Sequence, residues 1–281
     1  DGCDYKCSFC TIPLARGKSR SNTISNIIDN VEKIASQNIK EIVLTGINLG
    51  DFGKTSKKSN NSNFLNLIKE LDILNLDLRF RISSIEPNLL SDEIIEFVST
   101  SKKFVHHFHI PLQSGCDSIL KLMRRRYDTE LYKSRINRIN QLMPDACIGV
   151  DVIVGFPGED DDKFLESMSF IEDLDISYLH VFTYSERDNT HAITLPNVVD
   201  ANSRSKRSKL LRLLSSRKKA SFYNKHIGSS HQVLFESENK NGFIEGFSSN
   251  YLRYRRKWNP GIAGSIIKSK FTEIDSEGFA I

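Results

Sequence analysis

The sequence predicts an α/β protein in which parallel βα units precede a small β-rich unit. Three observations carry this reading. Five short apolar runs alternate with amphipathic segments through residues 1–199, the order that builds a parallel sheet covered by helices. A basic, leucine-bearing stretch then breaks the pattern, and beyond residue 228 only short β-like runs separated by turn residues follow. At 281 residues the chain is long enough for one large core and a smaller one.

The elements follow in order. Residues 25–37 read as a helix because Ile27, Ile28, Val31 and Ile34 recur on one side. Residues 40–46 are a short buried strand ending in glycine. The run 54–63 (KTSKKSNNSN) is polar and low in complexity, hence an exposed loop. Residues 64–74 are helical, 79–83 (RFRIS) a strand, and 92–100 a helix with Ser91 as its N-cap. A strand over 105–111 leads into helices at 117–123 and 130–143. The apolar 147–155 is strongly β-like and runs into GFPGE. A helix at 161–174 and a strand at 178–184 close the series. Residues 195–205 look like a linker, 205–223 like a basic helix with a leucine stripe. The final strands are expected at 232–236, 242–247, 251–255, 265–271 and 279–281, a set suited to a small OB-like barrel.

Composition is ordinary, with 39% hydrophobic and 26% charged residues. No apolar run approaches the roughly 18–20 residues of a membrane span, so a cytoplasmic protein is expected. The net charge of +4 is unevenly spread: residues 1–199 carry −5 and residues 200–281 carry +9. A basic C-terminal part on an acidic body points to an anionic partner, with nucleic acid the natural candidate and a solvated helix face the plain alternative.

The densest chemical signal is DGCDYKCSFC, with Cys3, Cys7 and Cys10 on one loop and no fourth cysteine nearby. Closed zinc sites and ferredoxin clusters want four ligands. Three thiolates suit a [4Fe–4S] cluster that keeps one iron open. A zinc site completed by His106, His107 or His109 is the competing reading, although zinc motifs usually pair their cysteines as C-x2-C. Disulfides are disfavoured by a sparse, odd count of five cysteines. Cys116 and Cys147 read as small core residues.

The C-x3-C-x2-C spacing resembles that of the radical S-adenosylmethionine (SAM) enzymes. The cysteine loop arrives after two residues, so the strand that should present it is expected to precede the chain. Counting that strand, the βα series resembles the family's partial (β/α)6 barrel. The resemblance implies that the open iron chelates SAM and reduces it to a 5′-deoxyadenosyl radical. It places Thr45 and Gly46 near the methionyl amine, and Phe9, Val154 and Gly155 near the adenine. Gln113 would contact SAM or the target base, and Arg126 a carboxylate or phosphate.

DGCDYKCSFCTIPLARGKSRS, LTGINLGDFG, RISSIEP, HIPLQSGCDSILKLMRRRY, VIVGFPGE and HVFTYSERDNT, in this order, together resemble the radical SAM methylthiotransferases. TIPLARG, MRRRY and HVFTYSER resemble the MtaB type, which acts on N6-threonylcarbamoyladenosine 37 of tRNA. Types acting on isopentenyladenosine 37 or on ribosomal protein S12 are the alternatives, and an RNA-binding fragment without catalysis is one of another class. The resemblance, with the family's C-terminal RNA-binding TRAM domain, implies RNA contacts by Lys206, Arg207, Arg212 and Lys218 of the basic helix and by Arg253, Arg255, Arg256 and Lys257 of the barrel. Tyr251, Tyr254 and Trp258 are candidate stacking platforms or barrel core. The implied partners are the tRNA anticodon stem-loop, SAM and an electron donor. The expected division is 1–199 for the radical SAM core, 200–227 for a basic linker helix and 228–281 for the TRAM-like barrel. Two departures stand out. The family's N-terminal domain, with three cysteines for a second cluster, has no counterpart here, so the chain is expected to be a fragment. Asp188-Asn189-Thr190 replaces the family's PGT-like spelling.

Overall fold

The computed structural model describes residues 1–54 and 63–281, so most of the predicted loop 54–63 lies outside the described residues. Five parallel strands form the first unit: β1 (Glu41–Leu44), β2 (Arg79–Ile82), β3 (His107–His109), β4 (Cys147–Val154) and β5 (Tyr178–Thr183). They pair in sequence order as β1–β2 and β3–β4–β5, and bridges Phe80–Phe104 and Ser84–His109 join the two groups. All five are strands the sequence predicts. β3 is the shortest, with three residues where 105–111 was expected.

Helices α2 (Ile24–Ala35), α3 (Phe64–Ile73), α4 (Asp92–Thr100), α5 (Asp117–Leu122), α6 (Thr129–Leu142) and α7 (Asp161–Asp173) alternate with these strands. A five-residue helix, α1 (Ile12–Arg16), follows the cysteine loop and was not predicted. Thr23, Asn63, Asp128 and Asp160 cap α2, α3, α6 and α7 by accepting a backbone N–H three residues on. Ser91 occupies the cap position of α4 without a side-chain bond.

Because alternate strand residues face opposite sides, Phe80, Ile82, Phe108, Ile148, Val150, Val152 and Val154 enter one apolar core with the helices. The other face of the same strands carries Glu41, Arg79, Arg81, His107, His109, Asp151, Tyr178 and His180, and the space over this polar face is the lumen.

Helix α8 (Ala201–His226) is one continuous 26-residue helix capped by Asp200. Rather than spanning free between units, it packs along β5. Leu211 and Leu214 join the main core, and Ser215 Oγ donates to the Leu179 carbonyl at 3.0 Å. Its last turns bring Tyr223 into a second core with Val233, Phe235, Ile244, Leu252, Tyr254 and Phe271. That core belongs to an antiparallel sheet ordered β8 (Arg253–Lys257), β7 (Phe243–Ser248), β6 (Ser230–Phe235), β9 (Ile266–Lys270). Ala280 bridges back to Tyr254 of β8 in place of the fifth strand expected at 279–281.

The second unit docks at the strands' N-terminal ends. Arg79 donates to the Gln232 and Phe247 carbonyls at 3.0 and 2.9 Å, and Arg81 to that of Ser248 at 3.3 Å. Glu41 holds both guanidiniums from β1. Tyr251, with φ 66°, stacks on His107 at 4.3 Å and closes the floor of the lumen. No helix among the described residues is long and apolar enough to cross a membrane.

Candidate active site

The cysteine loop crosses the opposite end of the lumen. Gly2 starts it in the left-handed region at φ 76°, where a Cβ would come within 2.1 Å of the Lys18 carbonyl oxygen. Cys3 then bonds the Gly17 carbonyl, so residues 1–20 close on themselves. Ser8 anchors the loop's far side, its amide to the Met123 carbonyl and its Oγ to that of Leu122.

All three cysteines are free and half-buried. Each sulfur accepts one N–H: Cys3 from Tyr5 at 3.4 Å, Cys10 from Ile12 at 3.4 Å, and Cys7 from Arg125 Nη1 at 3.1 Å. Burial pushes the Cys3 thiol up and also the Cys7 thiol, against the pull of Arg125. Three unbridged thiols, each with its own N–H donor, fit a cuboidal cluster that takes each thiolate on a different iron. Among the described residues no cysteine joins a close group of ligand atoms; His106 pairs with Asp145, and His107 and His109 lie on β3.

Arg125 is the arginine that reaches a cysteine sulfur, whereas Arg126 is the one expected to meet a carboxylate or phosphate. Arg126 instead lies 3.6 Å over the Tyr5 ring. Arg125 also pairs with Glu86 and donates to Tyr127 Oη. The motif RISSIEP, which contains Glu86, and the triple arginine were the visible signals. Tyr5 in turn donates to buried Asp51, which Asn48 and Lys54 also hold.

The other expected site residues are distributed unevenly. Thr45 and Gly46 lie exposed just past the end of β1. Phe9 packs edge-on to Phe156 at 6.3 Å. Gln113, with φ 69°, lies against β4, its amide bonded to the Asp151 carbonyl and its own carbonyl to the Ile153 amide. Val154 is buried, and its carbonyl accepts from Tyr184 in the sheet. Gly155, at φ 74°, sits beneath Arg204, and its amide is taken by Glu159 at 2.8 Å. That amide is therefore not free to read an adenine edge. Cys116 and Cys147 are buried, as core residues should be.

Several expected RNA contacts are committed elsewhere. Arg207 is buried and paired with Glu159 and Asp161, both at 2.8 Å. Lys218 donates to the Glu172 and Leu174 carbonyls. Arg253 and Arg255 bind Glu245, and Arg255 also binds Glu277. Lys206, Arg212, Arg256 and Lys257 are exposed. Tyr254 is wholly buried, which excludes it as a stacking platform, and Trp258 packs against the second core.

Residues 1–171 match the family profile of the Radical SAM superfamily. The threonylcarbamoyladenosine tRNA methylthiotransferase MtaB of Bacillus subtilis is 38% identical over 276 residues, 96% of this chain and 60% of that protein. The tRNA-2-methylthio-N(6)-dimethylallyladenosine synthase of Fusobacterium nucleatum is 34% identical over 276 residues, 97% of this chain and 62% of that protein. The chain thus spans about three-fifths of the length of these curated relatives. Coproporphyrinogen III oxidase (HemN) from Escherichia coli, a radical SAM enzyme, superposes with a TM-score of 0.55 at 11% identity, covering 92% of this chain and 70% of that one, which is a likeness of fold. With a profile match over more than half its length and the three thiols set at the open end of a parallel α/β sheet, the chain belongs to the radical SAM superfamily.

Proposed function

We propose that this chain is the radical-generating and RNA-binding part of a methylthiotransferase acting at C2 of N6-threonylcarbamoyladenosine 37 in tRNA. The observation that carries the reading is the 38% identity to the B. subtilis MtaB protein across 96% of the chain. Methylthiolation of the dimethylallyl-substituted base is the second reading, supported by the 34% identity to the F. nucleatum synthase.

In this proposal Cys3, Cys7 and Cys10 hold a [4Fe–4S] cluster. When bound there, the cluster and SAM supply a 5′-deoxyadenosyl radical for removing hydrogen from an unactivated C–H bond. The chain's own residues bind, orient and exclude water. The Tyr5, Ile12 and Arg125 N–H groups offset charge on the thiolates, as donors to sulfur do. Thr45 and Gly46 would meet the methionyl amine, Gln113 SAM or the target base, and Phe9 the adenine. Residues 1–199 form the core of the site and residues 228–281 a TRAM or OB-like unit. Exposed Lys206, Arg212, Arg256 and Lys257 would contact phosphates of the anticodon stem-loop. An electron donor and a cytoplasmic setting complete the reading.

The test uses the complete reading frame that contains this chain, expressed in cells lacking the modification. Mass spectrometry of tRNA nucleosides should show the 2-methylthio derivative of threonylcarbamoyladenosine, and Cys7→Ala should abolish it. Appearance of only the methylthio dimethylallyl nucleoside would transfer the assignment to the second reading. Neither product would defeat both.

A further inference from the structure

On the polar face of the parallel strands, a second group of ligand-type side chains stands apart from the cysteines. His109, Asp151 and His180 come from the adjacent parallel strands β3, β4 and β5, and their donor atoms all lie within 4.8 Å of one another. Asp151 and His180 are register partners, so their side chains leave neighbouring strands toward the same face. His109 Nε2 is 2.8 Å from Asp151 Oδ1. The two atoms are sealed from water and face each other as an ion pair without hydrogen-bond geometry, and no other group bonds either of them. Buried polar atoms almost always find a partner, so two that approach closely without bonding call for one. The imidazoles of His109 and His180 stack at 5.4 Å, with ring planes 27° apart. Asp151 precedes Ile153 by two residues on β4, and Ile153 packs against the same buried cluster, with Phe156 and Tyr184, as Phe9 of the cysteine loop. The group is therefore one pleat, about 7 Å, from a residue that shares a packing cluster with the cysteine loop.

We propose that His109, Asp151 and His180 form a binding site for one divalent transition-metal ion with nitrogen and oxygen preference. Two imidazoles and one carboxylate on one side of an ion leave its remaining positions open, and here those positions face the lumen. Zinc is a natural occupant of such a donor set. Metal ligation requires neutral imidazole, the form in which a histidine offers a ring nitrogen lone pair to an ion. The open positions make this a site for a further oxygen or nitrogen ligand delivered into the lumen rather than a closed structural staple.

The test is zinc binding by the full chain after anaerobic cluster reconstitution, so that the cysteine thiols are occupied. Isothermal titration with zinc alone, paired with elemental analysis, should give one zinc per chain beyond the cluster iron. His180→Ala and Asp151→Asn should each weaken binding at least about 10-fold, since even outer-shell changes cost that much. His106→Ala, whose ring pairs with Asp145 outside the group, should leave binding unchanged. His180 is exposed, so its truncation should leave the zinc-free thermal midpoint intact, and zinc should raise the midpoint of the parent chain but not of this variant. No zinc beyond the cluster, or zinc binding that survives both substitutions, would overturn the proposal.

Discussion

At the scale of single residues, Arg125 decides how the cysteine loop is held. Its guanidinium reaches Cys7, Glu86 and Tyr127 at once. Burial opposes its charge, but Tyr127, Glu86 and Cys7 outweigh that and keep it firmly protonated. Arg125→Ala strands Glu86 and removes the N–H donor of Cys7. The expected cost is about 3 kcal/mol in chemical denaturation, with faster loss of cluster iron to a chelator. Arg125→Lys restores the charge without the fork and should recover less than half of that cost. Iron loss at the parent rate in both variants would remove Arg125 from the site. The three consecutive arginines were conspicuous in the sequence, but which one faces the thiols was not. Arg124 takes a left-handed conformation at φ 58°, and the chain direction after it sends Arg125 inward and Arg126 onto Tyr5. A helical or strand period does not encode that turn. The cysteines were legible because their spacing is local; Glu86 is 39 residues from its partner.

At the scale of elements, helix α8 shows what periodicity can and cannot reveal. Its leucine stripe marked an apolar side, and that side packs on the main core through Leu211 and Leu214. Its basic composition suggested a solvent-facing surface, yet Arg204 and Arg207 are buried among Glu186, Glu159 and Asp161. Those acids come from loops and the start of α7, and no window of sequence brings them together. Arg207→Ala should therefore lower stability by about 3 kcal/mol with little effect on RNA affinity. At the other end of α8, His226 is pushed down to about 4 by burial and then by His231. A histidine held below its unfolded value, near 6.5, contributes stability that is complete above that value. The contribution is lost as pH falls from about 6.5 toward 4, because the unfolded chain takes up the proton first. His107, His180 and His231 are depressed in the same sense by burial. The thermal midpoint of the full chain should be flat above pH 6.5 and decline below it, and His226→Asn should flatten part of that decline. An unchanged slope in the variant would show that the other three carry it all.

At the scale of the whole molecule, the lumen runs between two ends of different character, with the thiols at one and the antiparallel sheet at the other. α8 links them, and its 26 residues extend roughly 39 Å at 1.5 Å per residue. Exposed Lys206 and Arg212 lie along it, with Arg256 on the sheet. Replacing these three by alanine should lower the slope of log affinity for tRNA against log salt by about 2–3; a slope unaltered by the triple change would place the RNA elsewhere. The βα alternation and the charge contrast between residues 1–199 and 200–281 were readable from the sequence. The docking of the second unit on Arg79 and Arg81 was not, because both arginines sit in a strand that reads only as β. The account rests most directly on the claim that Cys3, Cys7 and Cys10 create a SAM-cleaving centre. The measurement is anaerobic reconstitution of this chain with iron and sulfide, addition of dithionite and SAM, and detection of 5′-deoxyadenosine by mass spectrometry. Production that disappears in Cys7→Ala is the predicted result. A folded chain that loads no cluster, or one that makes 5′-deoxyadenosine equally well without Cys7, would contradict it.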